Sequence, residues 1–166
     1  MGGSLGGGFS SGDLDKLTAS AKQKLKDAAG DGKRHVFISF SHEDMDEVNL
    51  LRGQAKNPNS NLEFDDHSVK EPFDSENADY IRRKIREKIE RASVTAVYLT
   101  EKSASSRWVN WEIQESIRQG KGVIGVHKGD APPANLPSAL NENGCKVVKW
   151  SHDAVSNAIE EASKQR

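Results

Sequence analysis

Strand-like and helix-like segments alternate along residues 34–164, and this alternation predicts an α/β protein with a five-stranded parallel sheet. Two features carry the reading. The strand segments are short runs of β-branched and aromatic residues bounded by polar loops, as in His35-Val-Phe-Ile-Ser-Phe40. The helix segments each hold one apolar stripe in a charged surface, clearest at Ala78, Ile81, Ile85 and Ile89. Right-handed crossovers between parallel strands then place helices on both faces of the sheet.

The elements follow in order. Residues 2–12 are dominated by glycine and serine and are expected to form a flexible arm, with Leu5 and Phe9 as its apolar exceptions. Residues 13–29 carry a thin stripe of Leu14, Leu17, Ala21, Leu25 and Ala28, which predicts an N-terminal helix ended by Gly30. Arm and helix, residues 1–30, are excess to a main domain over 31–166 and are expected to promote or gate self-association. Strand 1 covers 35–40, and a helix over 43–56 turns Val48, Leu51 and Ala55 inward. The loop Asn57-Pro-Asn-Ser-Asn61 leads to a short second strand over 62–65 and a polar loop over 66–75. A helix over 76–92 precedes the third strand, 93–100, and a helix over 107–119 precedes the fourth, 122–127. A long loop over 129–144 carries Pro132, Pro133 and Pro137, after which come a fifth strand (145–150) and a closing helix (153–164). The expected strand order is the flavodoxin-like 2-1-3-4-5, whose ligand crevice opens where strands 1 and 3 meet.

Composition narrows the function classes. A formal net charge of −1 with 30% charged residues gives no sign of a nucleic-acid or membrane surface. The one cysteine, Cys145, excludes an internal disulfide and fits a reducing compartment. No apolar run approaches a membrane span, and the start of the chain has no signal-peptide pattern, so a cytoplasmic protein is expected. Metal binding would need clustered ligands at set spacings, and the sequence offers none.

The crevice predicted from topology lies beside Ser39-Phe-Ser-His-Glu43 and Glu101-Lys-Ser-Ala-Ser-Ser-Arg107. Just beyond the second loop, Val109, Ile113 and Ile117 mark the buried face of a helix, while Trp108 and Glu112 share a neighbouring face. An aromatic plate and a carboxylate therefore meet at the crevice. The same pair also reads as a core tryptophan and a solvated glutamate. Trp111 is assigned to packing. His42 and His127, at strand ends, are more often surface or capping residues than catalysts.

Several phosphate-binding classes fail on these residues. Strand 3 ends Tyr98-Leu-Thr-Glu-Lys102 without the aspartate of a phosphoryl-accepting receiver. The loop after strand 1 lacks a flavodoxin's Ser/Thr-Gly cradle, and no Walker or dinucleotide fingerprint follows a strand.

The residues that remain carry a resemblance. Phe37-Ile-Ser-Phe-Ser41 followed by an acidic helix resembles the opening of a TIR domain. Arg107-Trp-Val-Asn-Trp-Glu-Ile113 and Gly120-Lys-Gly-Val-Ile-Gly-Val-His127 resemble the TIR-like ThsB proteins of the bacterial Thoeris anti-phage system, over roughly residues 34–151. Leu51-Arg-Gly-Gln54, Ser68-Val-Lys-Glu-Pro72 and Ser93-Val-Thr-Ala-Val97 fit the same family. The resemblance implies that Glu112 is catalytic and Trp108 its partner. It further implies an enzyme that cleaves NAD as substrate, without a cofactor, and releases nicotinamide. The product would be a cyclic ADP-ribose isomer or an ADP-ribose conjugate that activates an effector protein after a phage-derived trigger. Self-assembly into a homo-oligomer is expected on the same ground.

The chemistry fits these residues. Nicotinamide leaves NAD as a neutral molecule, so one carboxylate that steadies the oxocarbenium-like transition state is sufficient. Glu112 fills that role, and Trp108 walls the ribose or nicotinamide. Phe40, Ser41 and His42 line the opposite wall, with Ser106 at the end of the second loop. Lys70, on the loop after strand 2, offers a point charge to phosphates or is simply a solvated lysine. The competing function is a non-catalytic TIR-type scaffold that acts by self-assembly.

Overall fold

A computed structural model describes residues 34–55, 62–67 and 72–164. The expectations for the arm and helix over 1–30, for the 57–61 loop and for Lys70 fall outside the described residues. The compact unit begins at Arg34. Its strands are β1 (Arg34–Ser39), β2 (Leu62–Asp66), β3 (Val94–Tyr98), β4 (Gly122–His127) and β5 (Lys146–Lys149). Its helices are α1 (Met45–Ala55), α2 (Ala78–Arg91), α3 (Arg107–Arg118), α4 (Ser138–Glu142) and α5 (His152–Lys164). All neighbouring strands pair in parallel, in the order β2-β1-β3-β4-β5.

The two-residue period of the strands divides the core between two faces. Val36 and Ile38 of β1, Ala96 and Tyr98 of β3 and Val126 of β4 face one side, where α1 contributes Val48 and Leu51 and α5 contributes Val155, Ala158, Ile159 and Ala162. Phe37, Val97 and Val123 face the other side, against Ile81, Ile85 and Ile89 of α2 and Val109 and Ile113 of α3. The isoleucine stripe of α2 is buried throughout. Parity also carries the polar residues: Ser39 follows Phe37 by two and Thr95 precedes Val97 by two, so both point toward α3.

The loop expected over 129–144 is not wholly irregular. Residues Ser138–Glu142 form the short helix α4, with Ala139 and Leu140 buried against Val97 and Val109. Gly125 of β4 makes room for it, since a Cβ there would meet Leu99 at 2.8 Å and Leu140 at 3.0 Å. Three prolines and only one turn of apolar residues hide such a helix from periodicity. Helix α3 stops where Gly120 takes a positive φ of 77°, a left-handed conformation suited to glycine. Among the described residues, no helix is long and apolar enough to cross a membrane.

Candidate active site

Two loops at the C-terminal ends of β1 and β3 build the site. Thr100 Oγ1 donates to Asp44 Oδ2 at 2.6 Å, joining the turn after β1 to the loop after β3. Ser103 Oγ closes the second loop on itself through Thr100 O at 2.8 Å. Ser106 then caps α3, its hydroxyl accepting from Val109 N at 3.2 Å. These bonds hold the first turns of α3 over the mouth of the sheet.

Between the loops lies a cleft of about 220 Å³ lined by Phe40, Ser41, His42, Glu43, His67, Lys102, Ser105, Ser106, Trp108 and Glu112. That volume is below the roughly 300–1,000 Å³ of pockets that enclose a whole drug-sized ligand. A larger cavity of about 400 Å³ lies at the opposite end of the sheet, near Lys121, Cys145 and Glu161. Its lysine Lys146 and Glu161 neutralise each other at 3.2 Å, and no buried carboxylate faces it. The smaller cleft is the one lined by a buried carboxylate, Glu112.

Glu112 is 3% exposed and sits in the second turn of α3. Ser39 Oγ donates to its Oε1 at 2.7 Å, and among the described residues no other hydrogen bond reaches the carboxyl. Burial pushes the Glu112 carboxyl up to about 8, with the Ser39 hydrogen bond pulling it down and the Asp66 charge raising it further. An ionisable carboxyl this poorly stabilised, lining a cleft, is a functional-site signature.

Trp108 is buried and belongs to both environments. Its ring joins Phe37, Ala78 and the α2 isoleucines in the core, and it also borders the cleft. Phe73 meets it edge-on at 4.9 Å between centroids, and Trp111 does so at 6.1 Å. Arg82 lies 4.3 Å from the Phe73 centroid and Arg107 lies 4.6 Å from it, which fixes Phe73 against Trp108.

Of the residues expected at the site, Phe40, Ser41, His42, Ser106, Trp108 and Glu112 are brought together around one cleft. Glu112 is not solvated, so that alternative fails. Trp108 is core and cleft wall at once. Trp111 is partly buried against the α2 core. His127 is buried, with Nδ1 2.7 Å from Gly129 O, and does not line the cleft. Five residues that the cleft contains or touches were not among those expected at the site: Ser39, Glu43, His67, Lys102 and Ser105. Ser39 left a signal in its two-residue spacing from Phe37, and Glu43, Lys102 and Ser105 lie on the two loops expected beside the crevice, while His67 left none. Burial, with Lys88 nearby, lowers the His67 ring below its ordinary value and favours the neutral form. Among the described residues, no group of three or more His, Cys, Asp or Glu is placed to hold a metal ion.

A parallel 2-1-3-4-5 sheet with a tryptophan and a buried glutamate one helical turn apart at its switch point matches what the resemblance to TIR-like domains implies. The model of the family described as Thoeris protein ThsB, TIR-like domain, matches residues 37–132, more than half of the chain, and the chain belongs to that family. ThsB1 of Bacillus cereus (strain MSX-D12), named as a candidate cyclic ADP-D-ribose synthase, is 31% identical over 98 residues. That match covers 57% of this chain and 51% of ThsB1, so the matched region spans about half the length of the relative. The TIR domains of the activated Roq1 resistosome, which directly recognises the pathogen effector XopQ, superpose with a TM-score of 0.42 at 19% identity over 60% of each chain.

Proposed function

We propose that this domain cleaves NAD at the bond between nicotinamide and ribose and makes an ADP-ribose-derived signal. The observation that carries the reading is Glu112, a buried carboxyl with one oxygen uncommitted among the described residues, in a cleft beside Trp108. When the C1′–N bond breaks, its electron pair goes to the nicotinamide ring nitrogen and cancels the ring's positive charge. The ribose is left as an oxocarbenium-like cation. An ionised Glu112 stabilises that cation in a site of low dielectric, where a charge interaction is far stronger than in water. Capture of C1′ by water gives ADP-ribose and a proton. Capture by an atom of the same nucleotide gives a cyclic isomer, and capture by another nucleophile gives a conjugate.

Trp108 walls the nicotinamide ribose, while Phe40, Ser41, His42 and Ser106 line the cleft around it. Lys102, on the exposed rim and 3.7 Å from Glu43 Oε2, would exchange that partner for the diphosphate as a point charge. The name carried by ThsB1 supports a cyclic product. Its signal would activate an effector of the same defence system once a phage-derived trigger is sensed, and a homo-oligomer is the expected active assembly. Incubating the purified protein with NAD, with and without extract from infected cells, tests this reading by chromatography of nicotinamide and mass spectrometry of the nucleotide. Nicotinamide release supports it. Intact NAD under both conditions, with self-association retained, supports the scaffold instead.

A further inference from the structure

Two buried hydrogen bonds pin α3 to the sheet, and they differ in what they touch. Ser116 Oγ lies 2.7 Å from Thr95 Oγ1 and donates back to the Glu112 carbonyl at 2.7 Å, so this pin holds backbone. Ser39 Oγ, one turn nearer the cleft, holds the Glu112 carboxyl itself at 2.7 Å. Ser39, Thr95 and Ser116 are all fully buried, so neither bond competes with water.

The Ser39 bond has a geometric consequence. A glutamate side chain has three rotatable bonds, and burial alone does not choose which oxygen meets a ligand. Ser39 closes β1 on the sheet face that looks at α3, and its hydroxyl takes Oε1. Oε2 accepts no protein hydrogen bond among the described residues, and Glu112 lines the cleft. We propose that Ser39 is a positioning residue: by holding Oε1 it turns Oε2 of Glu112 toward the ribose of the bound nucleotide. This role rests on the proposed NAD cleavage for its catalytic consequence, though not for the hydrogen bond or its effect on the carboxyl.

The groups around Glu112 set what its titration should show. The Ser39 hydroxyl favours the ionised form, and the Asp66 charge on β2 opposes it. His67 and Lys102 border the same cleft, while Glu115 on the next turn of α3 is tied up by Arg86, Arg118 and Gln119. Removing the Ser39 donor therefore moves the carboxyl further toward its protonated state. Removing the Ser116 pin leaves that balance untouched.

The test uses the full chain as wild type, Ser39→Ala and Ser116→Ala. The Glu112 side-chain carboxyl is followed by 13C NMR from pH 5 to 10 and assigned by its absence in Glu112→Gln. Ser39→Ala should move the Glu112 titration up by about one pH unit, close to the lower end of the worth of a hydrogen bond to a charged group. Ser116→Ala should leave it in place. In NAD cleavage, Ser39→Ala should lower kcat about tenfold at neutral pH with little change in KM, because an unaligned carboxylate costs transition-state stabilisation rather than binding. An unmoved Glu112 titration in Ser39→Ala, or equal shifts in both variants, overturns the proposal. The titration needs no turnover, so a wild type inert toward NAD would overturn the proposed reaction and leave the Ser39 test standing.

Discussion

Glu112 and Glu115 stand three residues apart on α3, both nearly fully buried, and their surroundings drive them in opposite directions. Burial raises the Glu115 carboxyl, but hydrogen bonds from Arg118, Gln119 and Arg86 outweigh it and leave Glu115 below the ordinary value. Among the described residues, Glu112 accepts a hydrogen bond only from the neutral Ser39 hydroxyl, and burial raises it to about 8. One carboxylate ties helices together. The other lines the cleft with one oxygen that accepts no hydrogen bond among the described residues.

Stability should reveal this contrast first. With a folded value near 8 against an ordinary 4.5, native Glu112 keeps a proton that the unfolded chain gives up. Stability therefore falls as pH rises through that interval and levels off above it. Glu112→Gln is neutral throughout and escapes the penalty. Its melting temperature should exceed that of the wild type, by a margin that is small at pH 5 and grows to a few kcal/mol equivalent, as an order of magnitude, at pH 9. An equal margin at both pH values would show that Glu112 titrates normally.

The Glu115→Gln substitution should do the reverse. A lowered folded value means that Glu115 contributes stability above the ordinary carboxylate range and loses it on acidification. Arg86 and Arg118 are 46% and 67% exposed, so they rehydrate when their partner is lost. The cost should be about 1–2 kcal/mol at pH 7 and less at pH 4, with NAD turnover largely kept. Denaturant melts at the two pH values, run beside the activity assay, check this.

The pH–rate profile follows from the same carboxyl. If cleavage proceeds as proposed it requires ionised Glu112, so kcat/KM, which reports the free enzyme, should rise along an acid limb centred near pH 8. Bound NAD places a nicotinamide cation beside the carboxylate and favours its ionised form, so the limb in kcat should lie at lower pH. Coincident limbs, or a flat profile from pH 6 to 9, would count against Glu112 as the titrating group.

Trp108 has two tasks that can be separated. Its indole packs on Phe73 and the α2 isoleucines, so Trp108→Ala should cost on the order of 3–5 kcal/mol. Trp108→Phe keeps an aromatic wall and should lose less stability. Both should lower kcat/KM when assayed well below their melting temperatures. Full turnover in folded Trp108→Ala would leave the residue a core role alone.

The fold was legible because each level of the sequence repeats one message. Apolar stripes in the helices, β-branched strands and polar loops alternate without conflict, and the strand order follows from short crossovers. Helix α4 was not legible, since Leu140 is buried by fitting over Gly125, a contact across the fold rather than a local period. Trp108 and Glu112 were visible through their four-residue spacing at a switch point. Ser39 was hidden in plain alternation: as the end of β1 it reads as one more strand residue, and only the approach of α3 gives its hydroxyl a partner. Topology placed the loop that carries Lys102 beside the crevice without singling the residue out, and His67 comes to the cleft from a loop with no periodicity to place it.

The central claim is that Glu112 carries NAD cleavage, and Glu112→Gln tests it most directly because shape is kept while charge is lost. Nicotinamide released from NAD by the triggered full chain is measured by chromatography for wild type and variant, with melting curves to show that both are folded. Glu112→Gln should lose about 10²–10³ in rate, comparable to removing a preorganised electrostatic stabiliser from an active site. A folded Glu112→Gln protein that releases nicotinamide at the wild-type rate would contradict that claim.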